Sequence, residues 1–98
     1  MLTGCSTALV TPLRDDGSVD HAGLERLIEF QLSQGVRGLL AVGTTGESPT
    51  LVWEEHNGVI ERTCRLTAGR AVAIAGTGSN STRETLEATE HAAHVGAQ

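Results

Sequence analysis

An α/β chain with a parallel sheet is what this sequence predicts, on three observations. Short apolar runs recur at residues 7–10, 39–42 and 72–75, about 33 residues apart. Each run is followed by a turn and then by apolar residues at helical spacing. A glycine closes each helical segment, at Gly35, Gly69 and Gly96. Strands that alternate with helices pair in parallel, because a right-handed crossover helix returns the chain to the same end of the sheet.

The first strand is expected over residues 7–10. Asp15-Asp16-Gly17 then signals a turn, and Asp20 is placed to cap the first helix. That helix shows Leu24, Leu27, Ile28 and Leu32, with Phe30 widening its apolar face. The second strand lies within the glycine-bounded run 38–42, whose lack of alternation suits a strand covered on both faces. The second helix is expected over 51–67, with Val52, His56, Val59, Ile60 and Thr63 on one face. Glu54 and Glu55 at its start complement the helix dipole. The third strand is the run 72–75. The third helix opens on Ser81-Thr82-Arg83-Glu84, an S-x-x-E capping box, and carries Leu86, Thr89, Ala92 and Ala93 as a weakly apolar face. Cys5 falls in the first expected strand and Cys64 in the second helix. By analogy with residues 35–38, a fourth strand should begin shortly after Gly96. Three strands leave two open edges, so the units read as an interrupted fold. The 98 residues alone are then expected to lack a cooperative thermal transition.

Composition excludes several functions. The formal charge is −5 and the seven basic residues, all arginine, are scattered, which argues against nucleic acid or an anionic membrane as partner. No apolar stretch approaches the ~20 residues of a membrane span. Residues 1–6 lack the charged and apolar parts of a secretory leader. Two cysteines without C-x-x-C or Cys/His spacing read as reduced thiols, and the chain as cytoplasmic. No metal is expected: His91 and His94 stand at i, i+3 without a third ligand, and Gly17 is misplaced for a calcium loop among Asp15, Asp16 and Asp20. The chain contains neither lysine nor tyrosine. An imine-forming ε-amine is therefore absent from these residues.

The segment richest in chemistry is Gly43-Thr44-Thr45-Gly46-Glu47-Ser48, directly after the second strand. A strand end, a glycine-bracketed pair of hydroxyls and a helix start together present hydroxyls and backbone N–H groups to a small anion. It is not a nucleotide-binding P-loop, since no Gly-Lys-Ser/Thr follows. Thr11-Pro12 after the first strand would shape a pocket rim, with Pro12 fixing the turn. Other polar residues have sufficient structural reasons: Ser81 and Glu84 as a cap, Asn80 in a turn, His56 as a packed histidine.

Four patches in order, Thr7-Ala8-Leu9-Val10-Thr11-Pro12, Asp16-Gly17-Ser18-Val19-Asp20, Gly43-Thr44-Thr45-Gly46-Glu47-Ser48-Pro49-Thr50-Leu51 and Ala75-Gly76-Thr77-Gly78-Ser79-Asn80, span the chain. Together they resemble the dihydrodipicolinate synthase (4-hydroxy-tetrahydrodipicolinate synthase) and N-acetylneuraminate lyase superfamily. Glu55-His56 and the run 76–81 look more like the synthase branch. The resemblance implies a (β/α)₈ TIM barrel of roughly 250 residues. Residues 1–98 would form the N-terminal portion of that single domain, its first three βα units. It also implies a class I aldolase, without metal or organic cofactor, acting in lysine biosynthesis. A lysine on a later strand forms an imine with pyruvate, and the derived enamine attacks L-aspartate 4-semialdehyde.

Carried over to this sequence, Thr45 is similar to the family's binder of the pyruvate carboxylate. Thr44 is similar to the hydroxyl that relays protons between two tyrosines. Ser48, His56, Asn80 and Glu84 match positions where many synthases bind L-lysine as a feedback inhibitor at a subunit interface. Trp53 stands where some lysine-sensitive members have histidine, and an indole face can hold a cation or an alkyl chain. Family members are commonly homotetramers. The lysine and both tyrosines have no counterpart here, so the 98 residues alone are expected to be inactive. The alternatives are another pyruvate-dependent aldolase of the superfamily, such as a 2-keto-3-deoxy sugar acid aldolase or N-acetylneuraminate lyase, and a non-catalytic remnant that acts only by binding.

Overall fold

A computed structural model describes residues 2–98. Met1, part of the stretch read above for a leader, lies outside them. The elements are β1 (Ser6–Ala8), α1 (His21–Ser33), β2 (Gly38–Ala41), a 3₁₀ turn (Ser48–Thr50), α2 (Trp53–Thr67), β3 (Val72–Ala75) and α3 (Thr82–His94). All three strands are parallel, in the order β1-β2-β3. Thr7 stands opposite Leu39, and Leu39 opposite Ala73. The α/β expectation of three successive strand–helix units is what the chain forms.

The helices begin and end where local chemistry directs. Asp20 caps α1 by accepting from the Gly23 N–H at 2.9 Å. Gly35, Gly69 and Gly96 all have positive φ, between 73° and 105°, the left-handed conformation that stops a helix without a Cβ clash. Between helices and sheet lies an aliphatic core of Leu24 and Ile28 from α1, Leu39 from β2, Val59 and Ile60 from α2, and Ala73 from β3. Arg62 donates to Glu25 at 2.7 Å and ties α2 to α1. Strand entries repeat one pattern: the Arg37 N–H donates to Cys5 O, and the Val72 N–H to Arg37 O. The Gln98 N–H likewise donates to Ala73 O on β3, at 2.9 Å. Among the described residues no helix is long and apolar enough to cross a membrane.

Several expectations are corrected. β1 is Ser6–Ala8 rather than 7–10, so Cys5 precedes the strand, and β2 is Gly38–Ala41, so Val42 has left it. α2 starts at Trp53 rather than residue 51, because the 3₁₀ turn with Pro49 at its start intervenes and Val52 becomes the exposed N-cap. Phe30 and Leu86 are 58 % and 65 % exposed, so neither belongs to the core face of its helix. On α3 the buried residues are Ala88 and Ala92, small enough for close approach, while Thr89 and Ala93 face outward. The first loop is also more ordered than its turn signal implied. Leu13 and Val19 form an antiparallel bridge around residues 14–18, and Asp16 accepts from the Ser18 N–H and hydroxyl, which holds its carboxyl below the usual range.

Candidate functional site

Thr44 and Thr45 sit in a turn at the carboxyl end of β2, both exposed. The turn is entered through Val42, whose φ is +48°, and left through Glu47, at +59°. A β-branched residue in the left-handed region is strained by about 1–3 kcal/mol, and such a state persists only where neighbours over-determine it. Those neighbours are identifiable. The Thr11 hydroxyl, from the loop after β1, donates to the Gly46 carbonyl at 2.7 Å and is itself buried. A Cβ on Gly46 would lie 3.0 Å from Val42 Cα and 3.2 Å from Leu9 O. On the other side, a Cβ on Gly76 would fall on the Val42 carbonyl oxygen, with the carbonyl carbon at 2.8 Å. Only glycine fits at 76, and a side chain at 46 would crowd its neighbours.

The turn's own backbone bonds use the N–H groups of Gly46, Glu47 and Ser48. Among the described residues those of Thr44 and Thr45 make no backbone hydrogen bond. Two free N–H groups and two exposed hydroxyls at a strand's carboxyl end can bind a carboxylate. Sequence reasoning found the two threonines and missed what aims them. The Thr11 clamp and the Val42 strain leave no local trace, although glycines at 46 and 76 were a hint of close backbone approach.

The second cluster is separate from this turn. Ser48, His56, Asn80 and Glu84 line one cavity of about 660 Å³, together with Trp53 and Ser79. Thr44 and Thr45 are not among its lining residues. The loop after β3 is held by short-range bonds. Ser79 donates through its hydroxyl to Glu84 Oε2 at 2.6 Å and accepts from the Ser81 N–H at 3.2 Å. The Ser81 hydroxyl accepts from the Glu84 N–H at 3.4 Å. The capping box is thus half formed: the Glu84 carboxylate reaches the Ser81 amide only through Ser79. His56 is buried to 1 % exposure, with its ring 4.6 Å from that of Trp53, edge on. Its Nδ1 lies 3.4 Å from Asn57 Oδ1, and its Nε2 has no partner among the described residues. Burial pushes its pKa down, and the neighbouring His91 adds to this, against the opposing influence of the Asn57 side chain and the nearby Gly76 backbone. The imidazole is therefore neutral at pH 7. No group of three His, Cys, Asp or Glu side chains among the described residues could hold a metal ion, and Cys5 and Cys64 are both free thiols.

Comparison with known proteins agrees with this geometry. A family model described as the dihydrodipicolinate synthetase family matches residues 1–98. The chain is 50 % identical over 97 residues to the 4-hydroxy-tetrahydrodipicolinate synthase of Gluconacetobacter diazotrophicus, covering 99 % of this chain and 33 % of that protein. The crystal structure of the chloride-inhibited dihydrodipicolinate synthase from Acinetobacter baumannii, complexed with pyruvate, superposes with a TM-score of 0.94 at 47 % identity, over 99 % of this chain and 33 % of that one. The N-acetylneuraminate lyase of Mycoplasma synoviae superposes with a TM-score of 0.90 at 33 % identity, over 96 % and 32 %. The chain spans about a third of the length of the curated relatives it matches. Its sheet and helices correspond to the first three βα units of a TIM barrel, and the chain belongs to the dihydrodipicolinate synthetase family.

Proposed function

We propose that this chain supplies the carboxylate-binding turn of a class I pyruvate aldolase, with Thr45 holding the pyruvate carboxylate and Thr44 relaying protons. The observation that carries the reading is the turn itself, with exposed hydroxyls and free N–H groups on a backbone over-determined from β1 and β3. A site fixed before the ligand arrives does not spend binding energy on its own ordering. The chemistry needs an ε-amine that adds to C2 of pyruvate and expels water as the imine forms. Loss of a C3 proton then gives the enamine. These 98 residues contain no lysine, so the amine comes from elsewhere in the polypeptide, and the isolated residues form no lysine-linked imine.

Within that class the activity is that of a 4-hydroxy-tetrahydrodipicolinate synthase, with L-aspartate 4-semialdehyde as the acceptor, in lysine biosynthesis. Identity of 50 % to a synthase, against 33 % to a lyase, supports this branch. The cavity lined by Ser48, His56, Asn80 and Glu84 takes L-lysine as effector. A carboxylate and an asparagine amide suit its ammonium and carboxylate ends. The whole protein is a cytoplasmic homotetramer. Free thiols at Cys5 and Cys64 suit a reducing compartment.

Borohydride reduction with labelled pyruvate, on the polypeptide that carries these residues, tests the reading. Label on one lysine is expected, and label elsewhere or nowhere sinks it. Thr45→Val should raise KM for pyruvate by about tenfold or more, since a hydrogen bond to a charged group is lost. Thr44→Val should lower kcat about 100-fold. Turnover of N-acetylneuraminate or a 2-keto-3-deoxy sugar acid, with none of L-aspartate 4-semialdehyde, would move the assignment to another branch.

A further inference from the structure

We propose that Thr11 is a positioning residue for pyruvate binding: its hydroxyl, donating to the Gly46 carbonyl, holds the 43–47 turn in the conformation in which Thr44 and Thr45 receive the carboxylate. The inference rests on the aldolase reading above and adds to it a residue that does not touch the substrate.

The turn has two flanks, and each is left-handed, Val42 at +48° and Glu47 at +59°. Its internal bonds, Gly46 N–H to Gly43 O and Glu47 N–H to Thr44 O, both at 3.0 Å, close the turn on itself. They say nothing about its angle to β2, which is set at Val42. Val42 has no local reason to be left-handed, because a β-branched residue favours extended backbone. On the β3 side the restraint is backbone alone: Gly76 abuts the Val42 carbonyl, and its N–H donates to Ala41 O at 2.9 Å. On the β1 side the Leu9 carbonyl lies close to Gly46, and the hydrogen-bonding tie is one side chain. Thr11 is 5 % exposed, and its hydroxyl lies 2.7 Å from Gly46 O across 35 positions of sequence. A Cβ on Gly46 would lie 3.0 Å from Val42 Cα, 3.1 Å from Thr11 Oγ1 and 3.2 Å from Leu9 O, so its backbone runs close beside all three. Removing the donor frees the turn to swing about Val42, and a displacement of about 1 Å at a binding group costs up to about 100-fold.

The test uses the full polypeptide that carries these residues, with active sites counted by the borohydride-trapped pyruvate imine. Thr11→Val keeps the shape and removes the donor, and Thr11→Ser keeps the donor and removes the methyl group. Per active site, kcat/KM for pyruvate should fall about 10- to 100-fold in T11V and stay near wild type in T11S. KM for the aldehyde should stay unchanged in both. A merely structural threonine would lower the melting temperature of T11V without changing per-site kinetics, and that result overturns the proposal. So does a T11S variant as impaired as T11V, which would assign the role to the methyl group. Hydrogen exchange at the Gly46 and Glu47 amides needs no substrate. It should quicken about tenfold in T11V and not in T11S, and unchanged exchange in T11V rejects the clamp. A wild-type polypeptide that traps no pyruvate imine sinks the aldolase reading and, with it, the substrate named here. The exchange result then decides the clamp by itself. Should T11V not fold, T11S decides: wild-type kcat/KM and wild-type exchange support the hydroxyl, and loss of either overturns it.

Discussion

At the end of β2 a strained valine and two threonines are held by partners distant in sequence, Thr11 and Gly46 being 35 positions apart. Beside α3, the groove's inner wall is held by bonds across three to six positions, among Ser79, Ser81, Glu84 and Thr85. The first arrangement fixes a short turn against its own backbone preference. The second follows that preference, since Ser81 caps the helix it starts. Strain held by distant contacts makes a fixed turn that presents the Thr44 and Thr45 hydroxyls outward. Local capping makes a wall whose residues are cheap to keep and easy to vary. The two regions should therefore respond differently to substitution.

The contrast is broken most severely at Gly76. Gly76→Ala puts a methyl group on the Val42 carbonyl, and overpacking against backbone should cost about 3 kcal/mol or more, read by denaturant unfolding of the polypeptide that carries these residues. A cost below about 1 kcal/mol would mean that Val42 is not over-determined.

The next effect is acid sensitivity in the groove. Burial holds the His56 imidazole below its usual value, which is about 6.5. The unfolded chain therefore takes up a proton before the folded one does. The stability this adds is complete above that usual value and is lost as pH falls through the lowered folded value. Trp53, Asn57, the Gly76 backbone and His91 lie against His56; the one carboxylate lining the same cavity, Glu84, is engaged by the Ser79 hydroxyl. The melting temperature should drop with acidification across this window, and His56→Gln should flatten the profile. An unchanged slope in H56Q would assign the acid sensitivity to other groups.

A smaller change is expected at the cap. Ser81→Ala should cost about 1 kcal/mol or somewhat less, since its bond to the Glu84 amide is long at 3.4 Å. Smallest, and of opposite sign, is Gly58→Ala. Nothing lies within 4 Å of a Cβ there, and alanine in a helix interior gains roughly 0.5–1 kcal/mol over glycine. If Gly58→Ala destabilised the chain instead, the outer face of α2 would be covered in the native assembly.

Much of the fold was legible because its signals are local. Asp20 and Ser81 as caps, the three terminating glycines and the third strand at 72–75 were read from short stretches, and all appear as read. The errors came where a residue's fate depended on what packs on it. Phe30 and Leu86 sit at helical spacing yet are exposed, because the neighbours of α1 and α3 among these residues approach other faces. The start of α2 moved two residues because the chain first closes a 3₁₀ turn at Ser48–Thr50. In the candidate site, the threonine pair is legible from its glycine-bracketed motif, whereas the four cavity residues come from the family resemblance, and the structure gathers these four around one cavity. Thr11 stands in the sequence reading as part of a rim and of a matching patch, and Ser79 as part of another patch with no role of its own, since hydroxyls reveal their partners only when folded.

By itself the sequence determined the order of strands and helices, their caps and stops, the family, and the absence of any lysine to form an imine. These depend on neighbouring residues or on composition. Tertiary structure alone decided that Val42 turns left-handed, that Thr11 reaches Gly46, and that Gly76 admits no side chain while Gly46 leaves little room for one. The physical reason is that backbone preference acts over a few residues, whereas strain at Val42 survives only when strands brought together from three parts of the chain leave it no other room.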